Sequence, residues 1–144
     1  MVNTSDRARL IAIVKARSVT TGTVFKLASG RTSDFYCNLK PTMMDPEGAH
    51  LIGKLLAEAL DGDGADMVGG LEMGAVPLAT ATAAASHARG KPLPAFFVRK
   101  QAKEHGTQSL VEGLPRGESL KGRRIVILED VTTTGGSSLK AGIA

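Results

Sequence analysis

Aromatic residues and cysteine are both scarce in this sequence. Among 144 residues there is no tryptophan, one tyrosine and four phenylalanines, so an aromatic side chain near a site is informative. The single cysteine, Cys37, excludes a disulfide bond within the chain, and no cluster of cysteine and histidine predicts a structural zinc site. These features are typical of a reducing compartment, and we expect the protein to be cytoplasmic.

Long apolar runs and dense clusters of positive charge are also absent from the sequence. The first residues lack the apolar core of a signal peptide, and no stretch approaches the length of a membrane span. The net charge of +4 is mildly basic, but no Lys/Arg run is interleaved with aromatic residues. We therefore expect neither a membrane nor a nucleic acid as partner, and an anionic small molecule explains the charge as well.

Segments with helix and strand patterns alternate along the chain, which is long enough for one domain with a substantial core. A helix from about Thr4 to Ser18 comes first, followed by a small hairpin with strands at residues 23–28 and 34–39. Asp45-Pro46 then gives a strong helix start. The later alternation predicts an α/β fold, a three-layer sandwich with a central parallel sheet. In such sheets ligands bind at the carboxyl ends of the strands. Three segments should meet there: residues 70–75, 99–113 and 129–137.

The most informative stretch, residues 123–138, reads R-R-I-V-I-L-E-D-V-T-T-T-G-G-S-S. A buried strand ends in Glu129 and Asp130, a loop of hydroxyl residues and glycines follows, and a helix begins after it. Phosphate is bound by exposed backbone N–H groups, by the start of a helix and by hydroxyl donors, all of which this loop provides. The two carboxylates are better suited to ribose hydroxyls or to a cation. The stretch predicts a ribose phosphate site; the alternative is an ordinary strand-to-helix turn with a capped helix.

A second glycine-rich segment, residues 69–74, has the glycine spacing of a nucleotide-binding Walker loop. However, Ala75 and Val76 stand where that motif requires lysine followed by serine or threonine. This argues against a nucleoside triphosphatase and leaves two interpretations, a second anion loop or a simple connection between a strand and a helix.

Residues 99–113 are too polar and too long for an ordinary connection, which is typical of a lid over a site. Their cationic side chains, Arg99, Lys100, Lys103 and possibly protonated His105, suit a diphosphate whose charge grows as a bond breaks. A solvated surface loop is the alternative interpretation.

Together these segments resemble the type I phosphoribosyltransferases, and most closely the orotate phosphoribosyltransferases. Residues 126–137 are similar to the family signature for phosphoribosyl pyrophosphate (PRPP), 69–74 to its diphosphate loop, 99–113 to its mobile lid and 27–38 to its base-binding hood. The resemblance implies transfer of the 5-phosphoribosyl group from PRPP to orotate, giving orotidine 5′-monophosphate and diphosphate in de novo pyrimidine biosynthesis. It also implies Mg²⁺ bound mainly through PRPP without direct protein ligands, and a homodimer with lid residues shared across the interface.

The resemblance also implies roles for individual residues. Tyr36 would stack on the pyrimidine and Cys37 would contribute backbone, while Lys26 would replace a lysine that one branch of the family carries at the position of Ala28. The implied catalytic residues are Lys103, His105, Glu129 and Asp130. The implied orotate-binding residues are Lys26, Tyr36, Cys37 and Thr133. The implied PRPP-binding residues are Arg99, Lys100, Lys103, His105, Glu129, Asp130, Val131, Thr132, Thr133, Thr134, Gly135, Gly136 and Ser137.

The resemblance covers nearly the whole chain and implies one phosphoribosyltransferase domain, residues 1–144, with a hood (1–40), a core (41–144) and a lid (99–113). Family members usually continue past the position of Ala144, and a downstream arginine that pairs with the orotate carboxylate has no counterpart. We therefore expect the domain to be truncated at its C-terminus and to bind orotate weakly by itself. Two alternatives are a phosphoribosyltransferase for a purine base and a non-catalytic regulator that binds PRPP or a nucleotide.

Overall fold

The structure is a computed structural model that describes residues 4–26, 30, 32–101, 109–132 and 134–143. The predicted helices and strands form, and two short elements that the sequence did not predict, α2 and β5, are added. No helix within the described ranges is long and apolar enough to cross a membrane. The elements are α1 (Thr4–Arg17), β1 (Val19–Lys26), β2 (Thr32–Cys37), α2 (Lys40–Met43), α3 (Pro46–Ala59), β3 (Met67–Gly69), α4 (Ala75–Ala88), β4 (Phe97–Val98), β5 (Val111–Glu112), β6 (Ile125–Ile127) and α5 (Gly136–Ile143).

The central sheet is parallel at its centre, as predicted. Strands β3 and β6 pair in parallel, with Val68 opposite Val126. Isolated parallel bridges from β3 and its following loop to Ala95 and Val98 place β4 on the other side of β3. Strand β5 then pairs antiparallel with β4. The predicted lid, residues 99–113, therefore ends in a strand and not in a polar loop. Val111 of this strand packs against the core beside the sheet.

Side chains alternate between two apolar clusters, one on each face of the sheet. On one face Val68 and Leu128 pack with Ile52 of α3 and Leu78 of α4. On the other face Met67, Phe96 and Val98 pack with Ala141 of α5. Helices therefore cover both faces, which is the predicted three-layer arrangement.

The N-terminal hairpin forms, but its strands begin earlier than the sequence indicated. The predicted strands were residues 23–28 and 34–39, whereas β1 begins immediately after α1 and pairs Val19 with Cys37. The N–H of Asn38 donates to the carbonyl of Ser18 (2.8 Å), which ties the end of β2 to the end of α1. The rings of Phe25 and Tyr36 stack across the hairpin with centroids 5.2 Å apart.

Helix α3 begins where the sequence predicted. The side chain of Asp45 accepts a hydrogen bond from the N–H of Gly48 (2.9 Å), and Pro46 occupies the first turn. Arg17 of α1 forms an ion pair with Asp45 (2.8 Å), so the same carboxylate joins two helices. The short helix α2 is packed against this corner, since a Cβ on Gly48 would lie 2.2 Å from the carbonyl oxygen of Thr42.

Candidate active site

Strand β6 delivers the acidic pair to the carboxyl edge of the sheet. Leu128 is buried, and its N–H donates to the carbonyl of Gly69 (2.7 Å), which continues the pairing with β3. Glu129 and Asp130 follow directly and are only partly buried. The two carboxylates therefore leave the sheet at the edge where the loop after β3 also begins.

The carboxylate of Glu129 is held by hydroxyl groups of the loop and helix that follow it. Its Oε2 accepts hydrogen bonds from the hydroxyl of Ser138 and from the hydroxyl of Thr132, the latter at 3.2 Å. These bonds, that of Ser138 above all, together with one from Ser137, lower the pKa of Glu129 below its ordinary value, against the opposing effect of desolvation. Glu129 is consequently an anion at neutral pH.

The carboxylate of Asp130 lies between the loop after β3 and helix α2. A Cβ on Gly74 would come within 2.2 Å of Asp130 Oδ1, so only glycine leaves room for this contact. On its other side, Asp130 Oδ2 is 3.9 Å from the Nζ of Lys40. Asp130 therefore joins the acidic pair to the glycine-rich loop.

The glycine-rich loop also contacts the start of the predicted lid. The N–H of Glu72 donates to the carbonyl of Val98 (2.8 Å), and Glu72 Oε1 accepts from the N–H of Lys100 (2.9 Å). The peptide bond between Glu72 and Met73 is cis. A Cβ on Gly70 would lie 2.3 Å from the carbonyl oxygen of Leu128, so this loop packs tightly on β6. The three segments predicted to converge do meet.

Two adjoining cavities, of about 750 and 380 Å³, open at this junction. The larger lies between the start of the lid and helix α5, which borders it from Gly136 to Ile143, and the smaller lies over the glycine-rich loop. Both are bounded by Leu71, Lys100, Glu129, Val131 and Ser137. A ligand long enough to occupy both cavities would therefore pass beside Glu129.

Most of the residues predicted to bind PRPP are brought together here. Asp130 borders the smaller cavity, and Thr132 reaches the site through Glu129. Gly135 adopts a φ of 74° just before α5, a conformation that favours glycine. Lys103, His105 and Thr133 lie outside the described residues. The larger cavity is bordered by Arg99, Lys100, Glu129, Val131, Thr134, Gly136 and Ser137.

Three of the four residues predicted to bind orotate lie in the described part of the chain, and they are not brought to these cavities. Within the described ranges, Lys26, Tyr36 and Cys37 border neither of the two. The ring of Tyr36 is stacked on Phe25, and Cys37 is partly buried and paired with Val19. Their proposed role stays a prediction.

Sequence reasoning missed Lys40, which borders the smaller cavity and faces Asp130. Its only local signal is a lysine followed by proline just after a predicted strand, and that signal does not indicate a ligand. In the part of the chain that is described, no group of three or more His, Cys, Asp or Glu side chains is arranged to hold a metal ion.

Comparisons with a family sequence model, with related sequences and with solved structures all indicate the same family. The sequence model of the phosphoribosyl transferase domain matches residues 43–143. An orotate phosphoribosyltransferase of Bradyrhizobium diazoefficiens is 61% identical over 141 residues, which are 98% of this chain and 75% of that protein. The crystal structure of Mycobacterium tuberculosis orotate phosphoribosyltransferase with Fe(III) dicitrate has a TM-score of 0.78 and 41% identity, covering 96% of this chain and 74% of that one. Its complex with PRPP has a TM-score of 0.74 and 36% identity, covering 96% and 72%.

Proposed function

The chain belongs to the orotate phosphoribosyltransferases, and from this premise we propose that it transfers the 5-phosphoribosyl group of PRPP to orotate. The products are orotidine 5′-monophosphate and diphosphate, and the reaction belongs to de novo pyrimidine biosynthesis. The observation that carries the proposal is the placement of Glu129 and Asp130 between a hydroxyl-rich helix start and a glycine-rich loop. That order matches the order of groups along PRPP, which has a phosphate, a ribose and a diphosphate.

The 5′-phosphate is expected at the start of α5. The N-terminus of this helix presents backbone N–H groups and the positive end of its dipole, and the hydroxyls of the same loop add donors. Thr134, Gly136 and Ser137 border the larger cavity at this point. Val131, Thr132, Thr133 and Gly135 complete the proposed phosphate loop.

The ribose is expected beside the two carboxylates, which accept hydrogen bonds from its hydroxyls. When the bond from C1 to the diphosphate breaks, positive charge develops on the ribose ring. Glu129 is kept ionised by the hydroxyls around it, so its negative charge is in place to stabilise that cationic state. Catalysis then depends on positioning and charge and requires no covalent intermediate.

The diphosphate is expected over the glycine-rich loop, where Lys100 borders both cavities. Arg99, Lys100, Lys103 and His105 are proposed to neutralise the charge that grows on this leaving group. Mg²⁺ prefers carboxylate and phosphate oxygens, and the proposed ion would be held mainly by the phosphate oxygens of PRPP. When bound, the ion supplies further neutralisation of the diphosphate.

We also propose roles for the hood and the lid. The hood (1–40) would supply Lys26, Tyr36 and Cys37 to orotate, with Thr133 of the core near the base. The lid (99–113) would act partly across a homodimer interface, within a single cytoplasmic phosphoribosyltransferase domain.

The deciding experiment follows diphosphate release from PRPP and Mg²⁺ with saturating orotate, and then with adenine, guanine or hypoxanthine in place of orotate. We expect release with orotate alone, and loss of it in Asp130→Asn. Release with a purine base would support the purine enzyme instead. Binding of PRPP by calorimetry without product formation from any base would support a regulator and contradict the enzymatic proposal.

A further inference from the structure

We propose that Lys40 binds the diphosphate end of PRPP, an inference that rests on the function proposed above. Lys40 lies outside the four segments that carried the sequence argument. It nevertheless borders the smaller cavity, together with Glu72, Met73, Gly74, Lys100 and Asp130. This is the cavity over the glycine-rich loop, and Ser137 at the start of α5 borders it as well.

Binding of a diphosphate in this cavity requires a cation in addition to Lys100. Three carboxylates border it, those of Glu72, Glu129 and Asp130, and a diphosphate brought beside them would be repelled. Met73, in the loop itself, is largely exposed and carries no charge. Within the described residues, Lys40 and Lys100 are the cationic side chains that border this cavity.

The pairing of Lys40 with Asp130 leaves the ammonium group available to a ligand. The Nζ to Oδ2 distance is 3.9 Å, longer than a hydrogen bond, and the lysine side chain is 63% exposed. The Asp130 side chain is only 19% exposed, so its charge attracts the ammonium group toward the cavity without binding it closely. A diphosphate oxygen entering the cavity would be a second acceptor for the same ammonium group.

The backbone that carries Lys40 is firmly anchored, although the tip of the side chain is not. Thr42 and Met43 of α2 are buried, and the hydroxyls of Thr42 and Ser18 are hydrogen-bonded at 2.6 Å. The N–H of Lys40 donates to the side chain of Asn38 (3.2 Å). The backbone position of Lys40 is thus fixed at the junction of hood and core, and its exposed side chain extends from there to the border of the cavity.

The test measures binding of three probes by calorimetry in the presence of Mg²⁺: PRPP, inorganic diphosphate and ribose 5-phosphate. We expect Lys40→Met to weaken PRPP and diphosphate binding about tenfold or more, the effect of losing a charge-assisted hydrogen bond. Ribose 5-phosphate carries no diphosphate, and its affinity should change by less than about twofold. Lys40→Arg should restore most of the affinity for diphosphate.

Lys15→Met is the matched control, because Lys15 is an exposed lysine in the last turn of α1. It should bind all three probes as the unaltered chain does. Unchanged diphosphate binding in Lys40→Met, or equal weakening of ribose 5-phosphate, would overturn the inference. The assay with orotate tests the enzymatic proposal separately. If diphosphate binding depends on Lys40 but no product forms from orotate, the enzymatic proposal is contradicted and the inference about Lys40 stands.

Discussion

The carboxylate of Asp130 lies against the backbone of Gly74, so closely that a Cβ on Gly74 would be 2.2 Å from Asp130 Oδ1. The atoms that meet this Cβ belong to the end of a side chain, which can rotate away without moving the backbone. Gly74→Ala should therefore displace the carboxylate from the ribose site while the fold persists. We expect kcat/KM for PRPP to fall about 10- to 100-fold, with little change in the thermal midpoint.

Gly142→Ala provides the control, since a Cβ on Gly142 in α5 meets nothing within 4 Å. Full activity in this variant would show that adding a methyl group to a glycine is not harmful in itself. If Gly74→Ala retained normal kcat/KM, Asp130 would not need its present position for turnover.

The hydroxyl of Ser138 is the main cause of the lowered pKa of Glu129. A carboxylate with a lowered pKa in the folded state stabilises the fold above its unfolded pKa, and this contribution is lost as the pH falls through the folded value. Ser138→Ala moves the folded pKa of Glu129 upward. We expect the variant to be less stable than the unaltered chain at neutral pH, and the difference to shrink as the pH falls below the ordinary glutamate value, 4.5.

Thermal midpoints measured over a series of pH values check this prediction, with Ser33→Ala for comparison. The hydroxyl of Ser33 forms hydrogen bonds with the N–H and the carbonyl of Phe35, and neither of these bonds involves a carboxylate. Its removal should lower the midpoint by an amount that does not depend on pH. A pH-independent loss in Ser138→Ala as well would mean that its bond to Glu129 does not control the titration.

The elements that the sequence predicted correctly are those whose signals are local. The cap formed by Asp45 and the strand, loop and helix around Glu129 depend on neighbours in the chain, and both appear as expected. Lys40 and strand β5 could not be found in this way, because their positions depend on packing between distant segments. A lysine in a short helix becomes part of the site only when α2 is buried against α3 and the sheet delivers Asp130 beside it.

The proposed roles of the lid and the hood likewise depend on contacts between distant segments or between subunits. Lys103 and His105 lie outside the described residues, and whether a lid serves its own subunit or a neighbouring one is not a local property of the sequence. Mixing two inactive variants distinguishes these arrangements. Lys103→Ala impairs the proposed lid and leaves the core intact, whereas Asp130→Asn impairs the core and leaves the lid intact.

If the lid acts across a homodimer interface, equal mixing with subunit exchange should restore about a quarter of the unaltered activity. Half of the randomly formed dimers are then mixed, and one of the two sites in each combines an intact core with an intact lid. Mixing Lys103→Ala with His105→Ala is the control, because every shared lid would still lack one residue. With an affinity tag on one variant, co-purification of the untagged variant would show that mixed dimers have formed. If the first mixture then remained no more active than its components, each lid would serve its own subunit and the shared arrangement would be wrong.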